Sequence, residues 1–104
     1  MNRLILAARL VERGTTRYTP AGLPALDLSL KHESEVMEDG QRRQVSFETR
    51  AVAIGRITER VATLALGQPA KFAGFLAAAR NGRGLVFHLT EVTPEEPVSR
   101  PTEH

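Results

Sequence analysis

Arginine carries most of the chemistry this sequence offers. Twelve of its fourteen basic side chains are arginine, and several recur close together: Arg42 with Arg43 and Arg50, and Arg80 with Arg83, with Arg17 further upstream. A guanidinium presents a planar fork of donors that grips a phosphate at two points and stacks on a base, which a lysine ammonium does less well. Lys31 adds a point charge, and Tyr18, beside Arg17, adds an aromatic face on which a base can stack. The charge is unevenly spread. Residues 1–90 hold thirteen basic against eight acidic side chains and residues 91–104 one against four, so a basic body carries an acidic tail within a net charge of +2. A binder of nucleic-acid backbones needs such a body. A GC-rich genome, which enriches arginine everywhere, is the competing explanation.

Other chemistries lack their parts. Ser29, Ser34, Ser46 and Ser99 have no His–Asp pattern nearby to activate them. His32, His88 and His104 are far apart, cysteine is absent, and Glu38 with Asp39 is a loop pair, so no metal-ligand spacing arises. "NGRG" is a turn without the Lys-Ser/Thr of a phosphate-binding loop. No enzyme activity, cofactor or metal is expected. The N-terminal "MNRLILAARLVERG" has the basic start of a signal peptide, but Arg9, Glu12 and Arg13 interrupt its apolar run and no small-residue cleavage site follows. No run approaches the roughly 20 apolar residues of a membrane span. A cytoplasmic protein without membrane contact is the default reading.

The elements that must position the arginines are mostly strands. Leu4, Leu6, Ala8 and Leu10 alternate with Arg3, Ala7 and Arg9, the period of a half-buried strand, with Ile5 and Val11 on the polar side where a partner would cover them. A turn-rich stretch follows, marked by Gly14, Pro20, Gly22 and Pro24. Leu26, Leu28 and Leu30 then alternate with Asp27, Ser29 and Lys31 in a second strand. "ESEVMEDGQRRQ" reads as a long hairpin loop or a pair of strand extensions around Asp39-Gly40. The third strand covers about Val45–Ile54, with Phe47, Thr49, Ala51 and Ala53 inward, which makes Phe47 core, and Ser46, Glu48 and Arg50 outward.

Arg56–Leu66 is the one helical candidate, with Ile57, Val61 and Leu64 on a shared face. A fourth strand spans about Pro69–Ala78, where Gly74 suggests a bulge or tight bend. Asn81-Gly82 is the strongest hairpin signal, and the fifth strand covers Leu85–Val92. Phe72 and Phe87 read as core, while Phe75 has the other parity and reads as exposed or at an interface. Five strands with one short helix or loop between the third and fourth make an all-β, five-stranded OB-fold Greek-key barrel. The domain is expected over residues 1–93, followed by a disordered, acidic, proline-rich tail over 94–104.

Four stretches carry a family resemblance. "NRLILAARLVERG" at 2–14, "RYTPAGLPALDLSL" at 17–30, "AVAIGRITE" at 51–59 and "NGRGLVFHLTEV" at 81–92 resemble, in order and spacing, the OB domain of bacterial single-stranded DNA-binding proteins. The closer resemblance is to the primosomal branch of that family, lone OB domains of about this length. The sequence reaches residue 104 without the Gly/Gln/Pro-rich linker and acidic, Phe-ended tip of the ordinary members, and it has no tryptophan. The resemblance implies a homodimer that binds single-stranded DNA and assists the replication-restart helicase PriA, with other primosome or single-stranded DNA-binding proteins as further partners. It places Arg17, Arg43, Arg80 and Arg83 at DNA; Tyr18, Lys31, Arg42 and Arg50 join them from the strand reading. Two features depart from the family pattern. An outward aromatic is expected at the start of the third strand, where Gln41 and Ser46 stand, and Glu33 occupies a place where a basic residue would help. Binding should therefore lean on charge, with four to five phosphate contacts giving a log–log salt slope of about −3. A general single-stranded DNA-binding protein, a protein-interaction adaptor with weak DNA affinity and an RNA-binding OB module are the alternatives.

Overall fold

In the computed structural model, which describes residues 1–95, five strands close a barrel around one core. They are β1 (Leu4–Arg13), β3 (Pro24–Glu38), β4 (Gln41–Ile54), β5 (Pro69–Ala78) and β6 (Leu85–Pro94). A two-residue strand β2 (Arg17–Tyr18) rides on the corner before β3, and one helix, α1 (Ile57–Ala62), connects β4 to β5. Around the barrel the order is β1-β5-β6-β4-β3, closed by β1 against β3. All neighbours are antiparallel except β4 and β6, which run parallel. This is the OB-fold plan expected from the strand pattern. The final strand runs to Pro94; apart from Pro94 and Glu95, the expected tail lies outside the described residues.

The core follows the alternation. Leu10, Leu30, Phe72, Phe87 and Val61 are its largest fully buried side chains, joined by Leu26, Leu28, Ala51, Ala53, Leu89 and Val92. The helix is shorter than its apolar pattern, but Val61 and Leu64 still plug one end of the barrel. Arg13 holds that end: its Nη1 donates to the carbonyls of Val61 at 3.2 Å and Leu64 at 2.6 Å, where the helix ends. Asn2 extends β1 through its side chain, donating Nδ2–H to the Leu76 carbonyl at 2.7 Å and accepting from the Leu76 N–H at 3.0 Å.

Gly74 is required by contact. Its strand shifts register against β6 between Ala73 and Gly74, and a Cβ on Gly74 would stand 1.8 Å from the His88 carbonyl oxygen. The bulge read from the sequence is therefore real, and it lets β6 bend around the barrel.

Of the two readings of the polar stretch, the pair of strand extensions turning at Asp39-Gly40 is the one that forms: among the described residues, beyond Lys31 and Glu48, β3 and β4 pair only with each other, in an arm that stands off the barrel. Two expectations need correction. Phe47 has the inward parity, but it lies on this arm, where no core exists to receive it. It is 39% exposed and packs instead on His32, ring centroids 5.0 Å apart. The tightest hairpin also differs from the strongest turn signal. Asp39 (φ 52°) and Gly40 (φ 77°) make the two-residue hairpin, whereas Asn81-Gly82 sits inside a six-residue loop between Ala78 and Leu85.

Candidate nucleic-acid interface

The corner over residues 19–23 is built by its own backbone and side chains. The Gly22 N–H donates to the Thr19 carbonyl at 2.8 Å, and the Leu23 N–H donates to the Thr19 hydroxyl at 3.1 Å. Pro20 sits where a turn wants a fixed φ. The turn folds Arg17 and Tyr18 back onto Ala25 and Pro24. Arg17 is then clamped: Nε donates to Asp27 Oδ2 at 2.9 Å and Nη2 to Oδ1 at 3.1 Å. The hydrogen bond from Arg17 holds the Asp27 carboxyl below the usual carboxylate range against the opposing cost of partial burial, helped by the charges of Arg17 and Arg50. The same pair raises the Arg17 guanidinium.

On the other side, the loop between β5 and β6 is tied by Ala79 N–H to the Gly84 carbonyl at 3.0 Å and by Arg83 N–H to Asn81 Oδ1 at 2.8 Å. Between this loop and the β2–β3 corner lies a cleft of about 360 Å³. Its floor is the outer surface of β4 and β6, through Val52, Ile54, Val86 and His88, and its walls bring together Arg17, Arg50 and Arg80. Among the described residues, Arg50 and Arg80 have no carboxylate partner, so their charge faces solvent. The guanidinium groups of Arg50 and Arg80 over an apolar floor can hold phosphates at the rim and exclude water beneath, while Arg17 is matched by Asp27, which also lines the cleft.

The other expected residues lie outside this lining. Tyr18 is 69% exposed on β2. Lys31 lines a separate depression with Arg9 and Glu33, which pair with each other at 3.0 Å. Arg42 and Arg43 project from opposite faces of the arm, paired with Glu35 at 3.8 Å and Glu38 at 3.0 Å. Arg83 is exposed in the β5–β6 loop. His88, Val52, Ile54 and Val86 line the cleft without having stood out in the sequence. The signal for them is the outward parity of the third and fifth strands, opposite Ala51, Ala53, Phe87 and Leu89.

A family profile described as another single-strand binding protein family matches residues 2–91. Over 80 residues, 77% of this chain and 75% of the relative, the sequence is 51% identical to the replication restart protein PriB of Bordetella pertussis. The solved structure of PriB from Ralstonia solanacearum superposes with a TM-score of 0.84 at 38% identity, covering 92% of this chain and 99% of that one. A deletion mutant of the single-stranded DNA-binding protein of Thermus aquaticus superposes at 0.73 with 29% identity, over 96% of this chain and 53% of the other.

Proposed function

The chain belongs to the PriB group of the single-strand binding protein family, and from that premise we propose that it binds single-stranded DNA as a homodimeric accessory of the replication-restart primosome, stimulating the PriA helicase at stalled forks. The observation that carries this reading is the meeting of Arg17, Arg50 and Arg80 in one cleft on the outside of the barrel. Strands and loops distant in sequence supply these arginines, and a strand of phosphates is the ligand that rewards their convergence. We assign the protein no reaction.

The test is a titration of labelled oligo-dT of about 30 bases, long enough for two OB folds of roughly 4–16 nucleotides each, at two salt concentrations, with duplex of equal length as control. Single strand should be preferred, and affinity should fall steeply with salt. Replacing Arg50→Ala together with Arg80→Ala should weaken binding about tenfold or more and flatten the log–log salt slope by about 1.4, since each arginine neutralises one phosphate of the single strand. An unchanged slope in the double variant removes the cleft from the interface. Helicase stimulation is read separately, as the unwinding rate of PriA on a forked substrate with and without this protein.

A further inference from the structure

One register row crosses four neighbouring strands on the outside of the barrel. Phe75 on β5 lies opposite His88 on β6, His88 opposite Val52 on β4, and Val52 opposite Asp27 on β3. The row is walled at both ends. The rings of Phe75 and His88 stack with centroids 4.8 Å apart and planes within 11°. At the far end, Asp27 and Arg17 form the bidentate pair. In that row only Val52, 6% exposed, lies between the two walls, at the bottom of a notch in the floor of the arginine cleft that Ile54 and Val86 also line. His88 lines this cleft and Phe75 does not, so the phenyl ring backs the imidazole from outside. Among the described residues, no side-chain hydrogen bond holds either ring nitrogen of His88, and its ring lies nearly parallel to that of Phe75.

We propose that this notch seats one nucleobase of the bound strand, stacked on the face of His88 that Phe75 leaves free, while Arg50 and Arg80 hold the flanking phosphates. The inference rests on the single-stranded DNA reading and assigns its base-contacting residue. The chemistry is selective. An apolar floor beside a flat, pre-oriented ring suits a planar ligand with a π face. The surrounding guanidinium groups require that ligand to carry anionic charge at its edge. A nucleotide within a strand satisfies both, and a bare anion or an apolar peptide satisfies one. The notch also accounts for how a base can be held although Gln41 and Ser46 stand where an outward aromatic is expected.

The experiment compares oligo-dT with an abasic oligomer of equal length, for the unaltered protein and for His88→Ala and His88→Phe. The unaltered protein should prefer the base-bearing strand. His88→Ala should lose about tenfold in affinity for oligo-dT, near the low end of what one stacked base contributes. It should lose almost nothing on the abasic strand and keep its salt slope; His88→Phe should restore the preference. Independently of any variant's folding, an oligomer bearing 5-iodouracil should photo-crosslink to the β6 segment containing His88. Equal affinity of the unaltered protein for both strands, an unchanged preference in His88→Ala, or crosslinks confined to other segments would each overturn the base site and leave the phosphate reading standing. Binding to neither strand would overturn both.

Discussion

The Arg17–Asp27 pair is a bidentate contact at the cleft, and its pH dependence follows from the direction of the Asp27 shift. Folding lowers the Asp27 carboxyl, chiefly through the hydrogen bond from Arg17. A group whose pKa falls on folding stabilises the native state above its unfolded pKa, about 3.9 for aspartate, and loses that contribution as pH drops through the lower, folded value. Both side chains are substantially exposed, so solvent screening limits the pair to about half a kcal/mol. Asp27→Asn should therefore cost a small, constant amount of stability from pH 5 to 8, and the difference from the unaltered protein should close below about pH 4. Urea melts across that range would show it; a difference that widens in acid would contradict the assignment. This scale also shows what is legible in the sequence. Arg17, Arg50 and Arg80 can be picked as candidates because strand parity and loop position each put them outside the barrel. Parity puts His88 outside as well, but a lone histidine in a sequence suggests a metal ligand or nothing. Its meaning comes from a row of residues 27, 52, 75 and 88, whose adjacency exists only once β4 and β6 pair in parallel.

At the scale of elements, alternation locates every barrel strand, since each one buries its large apolar side chains on the inward face and period two is then visible in the apolar residues. It fails where an element leaves the core. The arm keeps the same alternation through Val36, Val45 and Phe47, but among the described residues no other element lies against that face, so parity there no longer means burial. Turn chemistry is equally context-bound: Asp-Gly and Asn-Gly both favour tight hairpins, and the lengths of the flanking strand pairings decide which one forms. Gly74 is readable because a glycine inside a strand has few other reasons to be there. Its replacement is a sharp test of the barrel's closure. The colliding atom is the backbone oxygen of His88, which cannot rotate away, so Gly74→Ala must push β6 outward. The expected loss is about 2–3 kcal/mol, measured as a lower urea midpoint with an unchanged slope. Because β6 carries His88 and Val86, the surviving fold should also bind single-stranded DNA more weakly. A midpoint equal to that of the unaltered protein would mean that the register shift at Ala73–Gly74 does not need the missing side chain.

For the whole molecule, the question is what covers the outer surface of β1 and β5. Ile5 is 55% exposed and Phe75 38% exposed, and both point outward from adjacent strands, with Ala73, the register partner of Ile5, on the same face. A β-branched aliphatic side chain left open on a regular strand, beside an aromatic one, fits a surface shared between two copies. A homodimer through this face would place two clefts on one body, and a strand long enough to reach both would be held by avidity. Ile5→Arg should then have two linked effects. It sets two like charges against each other across a symmetric interface, so scattering at tens of micromolar should fall from twice the chain mass to the chain mass. Affinity for oligo-dT of about 30 bases should fall about tenfold or more, while affinity for an oligomer of about 10 bases, which occupies one cleft, should hardly change. Equal losses on both lengths would point to damage within a single barrel. An unaltered protein that scatters as one chain would sink the dimer itself and move the explanation for Ile5 and Phe75 to a different protein partner.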